Sequence, residues 1–303
     1  MTLLDKAIVR MLPVVPKPVV QLFSSRYIAG SKLDDAVQVV RALNRNGKMA
    51  TIDVLGEEVT GESEAQAIAQ AYCDVFTAIE REQLDSNVSV KPTALGLNLS
   101  YDRCRENLET VLREAAHYGN FVRIDMEDSS TTSETLRMYR DLRENGFDNV
   151  GVVLQAYLRR TLDDVRGLAD LKPNVRLCKG IYVEPPSIAF TDYDAVRANY
   201  VRSLDALLEA GAYVGVATHD EWLIGEALKR VAGLGRKDYE FQMLLGVREQ
   251  RADELVAAGH RLRVYVPFGE HWYQYSLRRL QENPAMAGTI AKATVGRVLG
   301  RSY

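Results

Sequence analysis

Two adjacent arginines, Arg278 and Arg279, stand one helical turn from Tyr275 on one side and Glu282 on the other. On a helix these positions are i, i+3, i+4 and i+7, so all four share one stripe. A guanidinium fork matches a planar carboxylate with two parallel hydrogen bonds, so a doubled arginine aimed at one point suits the grip of a small acid. A solvated helix face carrying an Arg–Glu pair would have the same composition. Position separates the two readings: the stripe follows the strand-like run Leu262–Gly269, where the last loop of a barrel would stand over its mouth.

A second group of polar residues falls at the ends of strand-like runs: Lys91, Asp125, Gln155, Arg176, Lys179, Thr218, His219, Gln242 and Tyr265. Barrel interiors are normally filled by branched apolar side chains, so polar residues there imply that something polar occupies the mouth. Strand alternation puts Arg123 with Asp125, Glu240 with Gln242, and Arg263 with Tyr265 on shared faces. Lys179 has the opposite parity to Arg176 and fits the loop that begins at Gly180. A self-satisfied buried network would account for any one of these residues. Several strand ends at once point to a ligand site.

The elements that must position these groups alternate. Eight β-branched or apolar runs predict strands over Met49–Val54, Val88–Lys91, Phe121–Met126, Gly151–Ala156, Val175–Lys179, Tyr213–Thr218, Tyr239–Leu245 and Arg261–Val266. Between them, 3.6-residue periodicity predicts helices over Ser63–Leu84, Tyr101–Tyr118, Thr132–Asn145, Tyr193–Ala210 and Trp222–Gly233, after a first helix over Ser31–Asn46. Parallel strands with helical crossovers, eight in number, predict an α/β fold of the (β/α)8 barrel type. Extra N-terminal helices and a final helix over the C-terminal mouth complete it. Residues 1–47 then form an N-terminal segment packed on the barrel of residues 48–303, in one domain. A doubly wound dinucleotide fold would want G-x-G-x-x-G after its first strand, and neither that nor a P-loop occurs. Gly233-Leu234-Gly235 reads as a helix end.

Composition narrows the function classes. The 303 residues, 47% hydrophobic and 26% charged, suffice for one large core. Thirty-eight basic against 41 acidic residues give a net charge of −3, which offers no field for nucleic acid. Cys73, Cys104 and Cys178 are odd in number and widely spaced, as expected of reduced thiols in the cytoplasm. The prolines at 13, 16 and 18 break the N-terminus, so it lacks a signal-peptide core, and no run is long enough to span a bilayer. The mixed apolar and basic segments Met1–Leu12 and Ala285–Gly300 suit packing against their own domain, with peripheral contact on the inner face of the cell membrane the open alternative. A metal-dependent hydrolase built on His219, Asp125 and Asp220 would need more histidines at strand ends than the four in the chain supply, so no metal is expected. Oligomeric state is not legible.

Several blocks carry a family likeness: Val88-Ser89-Val90-Lys91-Pro92-Thr93-Ala94-Leu95-Gly96, Arg123-Ile124-Asp125-Met126-Glu127, Leu154-Gln155-Ala156-Tyr157, Arg176-Leu177-Cys178-Lys179-Gly180-Ile181-Tyr182, Ala217-Thr218-His219-Asp220, Glu240-Phe241-Gln242-Met243-Leu244-Leu245-Gly246, and Tyr265 ahead of the arginine stripe. With them the chain resembles the monofunctional, flavin-dependent proline dehydrogenases, and the corresponding domain of the bifunctional proline-utilisation enzymes. The resemblance implies FAD at the C-terminal mouth and oxidation of L-proline to Δ1-pyrroline-5-carboxylate by hydride transfer to flavin N5, with a quinone as electron acceptor. It assigns the substrate carboxylate to Lys91, Arg278 and Arg279, the walls of the proline pocket to Tyr182, Leu244, Tyr265 and Tyr275, and an orienting ion pair to Glu282. It implies that Asp125 orients Lys91 or another pocket group. Flavin contacts fall to Asp125, Gln155, Arg176, Lys179, Gly180, Thr218, His219, Gln242, Arg279 and Glu282. The chain departs from the family pattern at Ile181, Val183 and Asp220, where alanine, tryptophan and asparagine are common.

Strand-end lysines also serve as Schiff-base nucleophiles, so an aldolase-type lyase using Lys91 or Lys179 is the alternative enzyme class. A non-catalytic amino-acid-binding regulator is the alternative outside catalysis.

Overall fold

A computed structural model describes residues 26–56, 59–234, 239–273 and 276. Eight parallel strands close into a barrel in sequence order: β1 (Met49–Val54), β2 (Ser86–Val90), β3 (Val122–Ile124), β4 (Val150–Gln155), β5 (Asn174–Cys178), β6 (Tyr213–Ala217), β7 (Tyr239–Leu244) and β8 (Leu262–Phe268), with β8 pairing back to β1. Each expected strand is present, its ends moved by at most two residues.

The helices are α1 (Leu33–Arg45), α2 (Glu62–Arg81), α3 (Tyr101–His117), α4 (Thr132–Glu144), α5 (Thr161–Leu168), α6 (Tyr193–Glu209), α7 (Glu221–Leu234) and α8 (Glu249–Ala257). Six match the periodic segments of the sequence. Helices α5 and α8 have only 8 and 9 residues, too few for the period to declare itself, and neither has a side-chain N-cap bond. Better-marked starts do carry one: Ser100 accepts from the Arg103 amide ahead of α3, and Asp192 from the Ala195 amide ahead of α6.

The apolar core lies outside the barrel wall rather than within it. Ile52, Val88, Val90, Val122, Ile124, Val175, Leu177, Val214, Val216, Phe241 and Val264 face the helices and are buried with Tyr72, Phe76, Leu108, Leu112, Tyr139 and Leu204 from them. Many of the alternate strand residues, which point inward, are polar: Thr51, Asp53, Ser89, Arg123, Arg176, Glu240, Gln242 and Arg263 are all buried. Burying polar groups costs free energy unless they are paired, so most of these side chains hydrogen-bond to one another or to strand carbonyls. Helix α1 packs on β1 and β8 through Ala36, Val37 and Val40. No helix among the described residues is long and apolar enough to cross a membrane.

Candidate active site

The network is densest at the C-terminal mouth. Lys91, just past β2 and 6% exposed, places Nζ 2.7 Å from Asp53 Oδ2 at the end of β1. The same ammonium lies 3.4 Å from the Tyr265 hydroxyl of β8, which donates to Asp125 Oδ2 at 2.7 Å. Asp125 also accepts from Arg176 Nη1 at 2.7 Å and from Ser89 Oγ at 3.0 Å. Arg176 stacks over the Tyr265 ring, 5.2 Å from its centroid, and donates from Nε to Gln242 Oε1 at 2.6 Å. Six strands thus meet in one polar cluster whose members fix each other's rotamers.

Asp125 therefore orients Arg176 and Tyr265, and the carboxylate on Lys91 is Asp53. Sequence reasoning passed over Asp53. Its signal was a lone acid at the C-terminal end of an otherwise apolar strand. Burial pushes the Asp53 carboxyl up and Asp125 adds repulsion, while the Lys91 ammonium pulls it down; the net shift is upward. Tyr72 of α2 donates to Asp53 Oδ1 at 3.2 Å, and its phenol is raised far above the ordinary range by burial and by that neighbouring acid.

Around the rim, Gln155 at the end of β4 donates from Nε2 to the Met126 and Glu127 carbonyls at 2.7 and 2.9 Å. Its Oε1 is buried and has no partner among the described residues. Glu127 in turn accepts from the Thr93 amide and hydroxyl, joining the loops after β2 and β3. Gly180 has φ +101°, and a Cβ there would overlap the Tyr157 ring, so the backbone after β5 lies against that ring as only glycine allows. The loop that follows is strapped down. Glu184 accepts from the Ser129 amide and hydroxyl, both at 2.7 Å, Arg159 donates to Pro186 O at 2.8 Å, and Leu158 bridges to Ala189. Tyr182 packs with Tyr157, Leu158, Ala189 and Val196. Ile181 is partly exposed and Val183 fully so.

Beyond β6, the Leu244 amide donates to His219 Nε2 at 3.0 Å. An accepting Nε2 leaves the ring proton on Nδ1, which makes that nitrogen the donor. Leu244 shares the inward parity of Gln242 and pairs in register with Tyr265. Thr218 Oγ1 accepts from the Asp220 amide at 3.1 Å. Asp220 is held by Arg197 at 2.7 and 2.9 Å and Tyr193 at 2.5 Å, with Lys179 Nζ at 3.6 Å. Burial alone would raise its carboxyl, but the bonds from Arg197 and Tyr193 and the Lys179 charge hold it well below the usual carboxylate range. Tyr193 and Arg197 lie on the exposed side of a helix, where nothing in the sequence marks them. Lys179 falls just past β5 and is a third exposed, as its parity indicated.

Tyr275, Arg278, Arg279 and Glu282 lie outside the described residues. Among the described residues no cluster of three or more His, Cys, Asp and Glu could hold a metal ion.

A mouth of this kind offers buried cations for a small acid and, at its rim, an acceptor with no partner among the described residues. The comparisons agree in direction. The sequence pattern of the proline dehydrogenase family matches residues 36–292. Proline dehydrogenase 1 of Bacillus subtilis is 40% identical over 274 residues, covering 90% of each chain. Proline dehydrogenase of Deinococcus radiodurans is 37% identical over 275 residues, 89% of each. Among solved structures, proline utilization A from Bdellovibrio bacteriovorus, inactivated by N-propargylglycine, superposes with a TM-score of 0.80 at 29% identity, covering 86% of this chain and 32% of that longer one. By these matches and by its closed eight-stranded barrel, the chain belongs to the proline dehydrogenase family, oxidoreductases of proline catabolism.

Proposed function

We propose that this enzyme oxidises L-proline to Δ1-pyrroline-5-carboxylate with FAD and passes the electrons to a quinone. The observation that carries the reading is the Lys91 ammonium, buried at the mouth and fixed between Asp53 and Tyr265 beside the Arg176–Asp125 pair. Lys91, with Arg278 and Arg279, holds the substrate carboxylate. Leu244, Tyr265, Tyr275 and Tyr182 wall the five-membered ring, and Glu282 steadies the arginine pair. Holding one small molecule in one pose is most of what the protein has to supply, because alignment of the reacting atoms lowers the barrier more here than acid or base strength does.

The rim residues fit FAD. The unpartnered Gln155 Oε1 accepts from an N–H or O–H donor, of which a flavin has several. Gly180 lets the Tyr157 ring lie against its backbone and so sets the course of the rim, and the charges of Arg176 and Lys179 suit anionic oxygens, with His219 in the proposed contact set. Thr218, Gln242, Asp125, Arg279 and Glu282 complete the proposed contact set. Bound there, FAD supplies the two-electron sink for the substrate hydride. Arg176 sets a positive charge at that point while Asp125 and Gln242 keep its plane from rotating. The chain acts as one domain, in the cytoplasm or against the inner face of the membrane.

The Schiff-base alternative finds less support, because a carboxylate 2.7 Å from Lys91 stabilises the protonated ammonium and a Schiff base needs the neutral amine. The test is turnover of purified protein with L-proline and a soluble quinone. Quinone reduction matched by formation of a cyclic imine supports the proposal. Covalent trapping of Lys91 by borohydride plus substrate, with no quinone reduction, sinks it.

A further inference from the structure

The opposite end of the barrel holds a polar cavity that the chemistry above does not use. It has a volume of about 380 Å³ and is lined by residues at the N-terminal ends of the strands, among them Asn87, Arg123, Glu240, Arg261 and Arg263. That volume lies in the range of small-molecule pockets.

The charges of this well do not balance. Arg263 and Glu240 neutralise each other through bonds of 2.7 and 3.2 Å, and Glu240 also accepts from Tyr213 and Gln242. Arg123 is different. It is 2% exposed, and its partners are the Val152 and Asn174 carbonyls and the Asn174 side-chain oxygen, none of which carries a net charge. Its Nε is buried with no partner among the described residues. Burial and the nearby Arg176 pull its guanidinium down to about 9, and the charge of Glu240, which is bonded to Arg263, offsets only part of that. Arg261 at the rim contacts only Met49 Sδ and the Tyr213 ring, with no carboxylate among the described residues. Thr51 donates to Asn87 Oδ1 at 2.5 Å, and the Asn87 Nδ2 hydrogens have no partner among the described residues. The only acid in the lining outside the Arg263 pair is Asp85, which is exposed.

Two uncompensated guanidiniums, one of them deeply buried, share a well with neutral amide donors. Such a site gains by taking up negative charge, since a buried cation without a partner is costly. We infer that this N-terminal well binds the oxyanion group, phosphate or carboxylate, of a small metabolite, with Arg123 and Arg261 as counter-charges and Asn87 Nδ2 as a neutral donor. The cavity exceeds one inorganic anion, so the metabolite's uncharged body has room. The inference stands apart from the flavin and proline assignments: it concerns the far end of the barrel.

Calorimetric titration with inorganic phosphate, and separately with succinate, tests it on the full chain at fixed ionic strength. Binding of a probe at the mouth is recognised as the part of the titration that the well variants leave unchanged. Arg261→Glu reverses a charge at the well and Asn87→Asp adds a negative one, neither touching the mouth, and proline turnover in both variants verifies that they fold. Saturable binding of either probe, weakened about tenfold or more in each variant, supports the inference, and the probe that binds tells phosphate from carboxylate. No saturable binding of either probe overturns it, as does binding of equal strength in wild type and both variants.

Discussion

The hydroxyl of Tyr265 lies 2.7 Å from Asp125 Oδ2 and 3.4 Å from Lys91 Nζ, so one phenol on β8 ties the acid after β3 to the base after β2. Through Asp125 the tie continues to Arg176 on β5. Four separate strand ends thereby hold two cations at fixed places, which is what binding a small zwitterion in one orientation demands.

Tyr265→Phe removes that tie and keeps the ring. Asp125 retains Arg176 and Ser89, so the fold holds with a stability loss of about 1 kcal/mol. With Lys91 less well placed, kcat/KM for proline falls about fivefold or more, mainly through KM. Steady-state kinetics and urea unfolding measure the two effects together.

Asp53→Asn leaves the Lys91 ammonium buried without its carboxylate. Breaking a buried pair from one side costs about 3 kcal/mol or more. The double variant Asp53→Asn with Lys91→Met should recover part of that loss in urea denaturation, although it does not recover proline binding. A double variant no more stable than Asp53→Asn alone contradicts the pairing.

How much of this was readable beforehand follows from where each signal lies. Strand positions were legible because runs such as Val150–Gln155 and Tyr213–Ala217 are apolar on the face that packs under helices. Polar residues on the other face, such as Arg123, Asp125, Glu240 and Gln242, announced a polar interior by simple alternation. The partners were not legible. That Lys91 meets Asp53 depends on β1 and β2 lying side by side with Asp53 opposite Ser89, a register no local pattern encodes. Likewise Arg197 and Tyr193 reach Asp220 from a helix face that reads as ordinary surface, and the eight residues of α5 are too short to show a period.

Asp220→Asn tests the rim. The folded carboxyl is held below its ordinary value, so its stabilising contribution is present above the unfolded value near ~3.9 and fades as the pH falls below it. The variant should be less stable than wild type at pH 7, by about 2 kcal/mol. The gap should begin to narrow below about pH 4 and go on narrowing as the pH falls toward the much lower folded value. Thermal unfolding of both proteins across that window measures it, and a gap independent of pH contradicts the ion pairing with Arg197.

Gly180→Ala puts a methyl group where the Tyr157 ring lies and a side chain at φ +101°. Strain of about 1–3 kcal/mol is expected. Because the strapped loop after β5 has to shift to relieve it, flavin content per protein, read from absorbance, should fall along with stability. Full flavin loading in a stable Gly180→Ala protein contradicts the assignment of this backbone to the cofactor rim.

The central claim is that the charged mouth of this barrel brings proline to a bound flavin. Its most direct test is the visible absorbance spectrum of the purified protein, without air, before and after addition of L-proline. Flavin bands that are present at first and bleach on adding proline are the predicted result. A colourless protein, or flavin bands that proline leaves unchanged, would contradict the account.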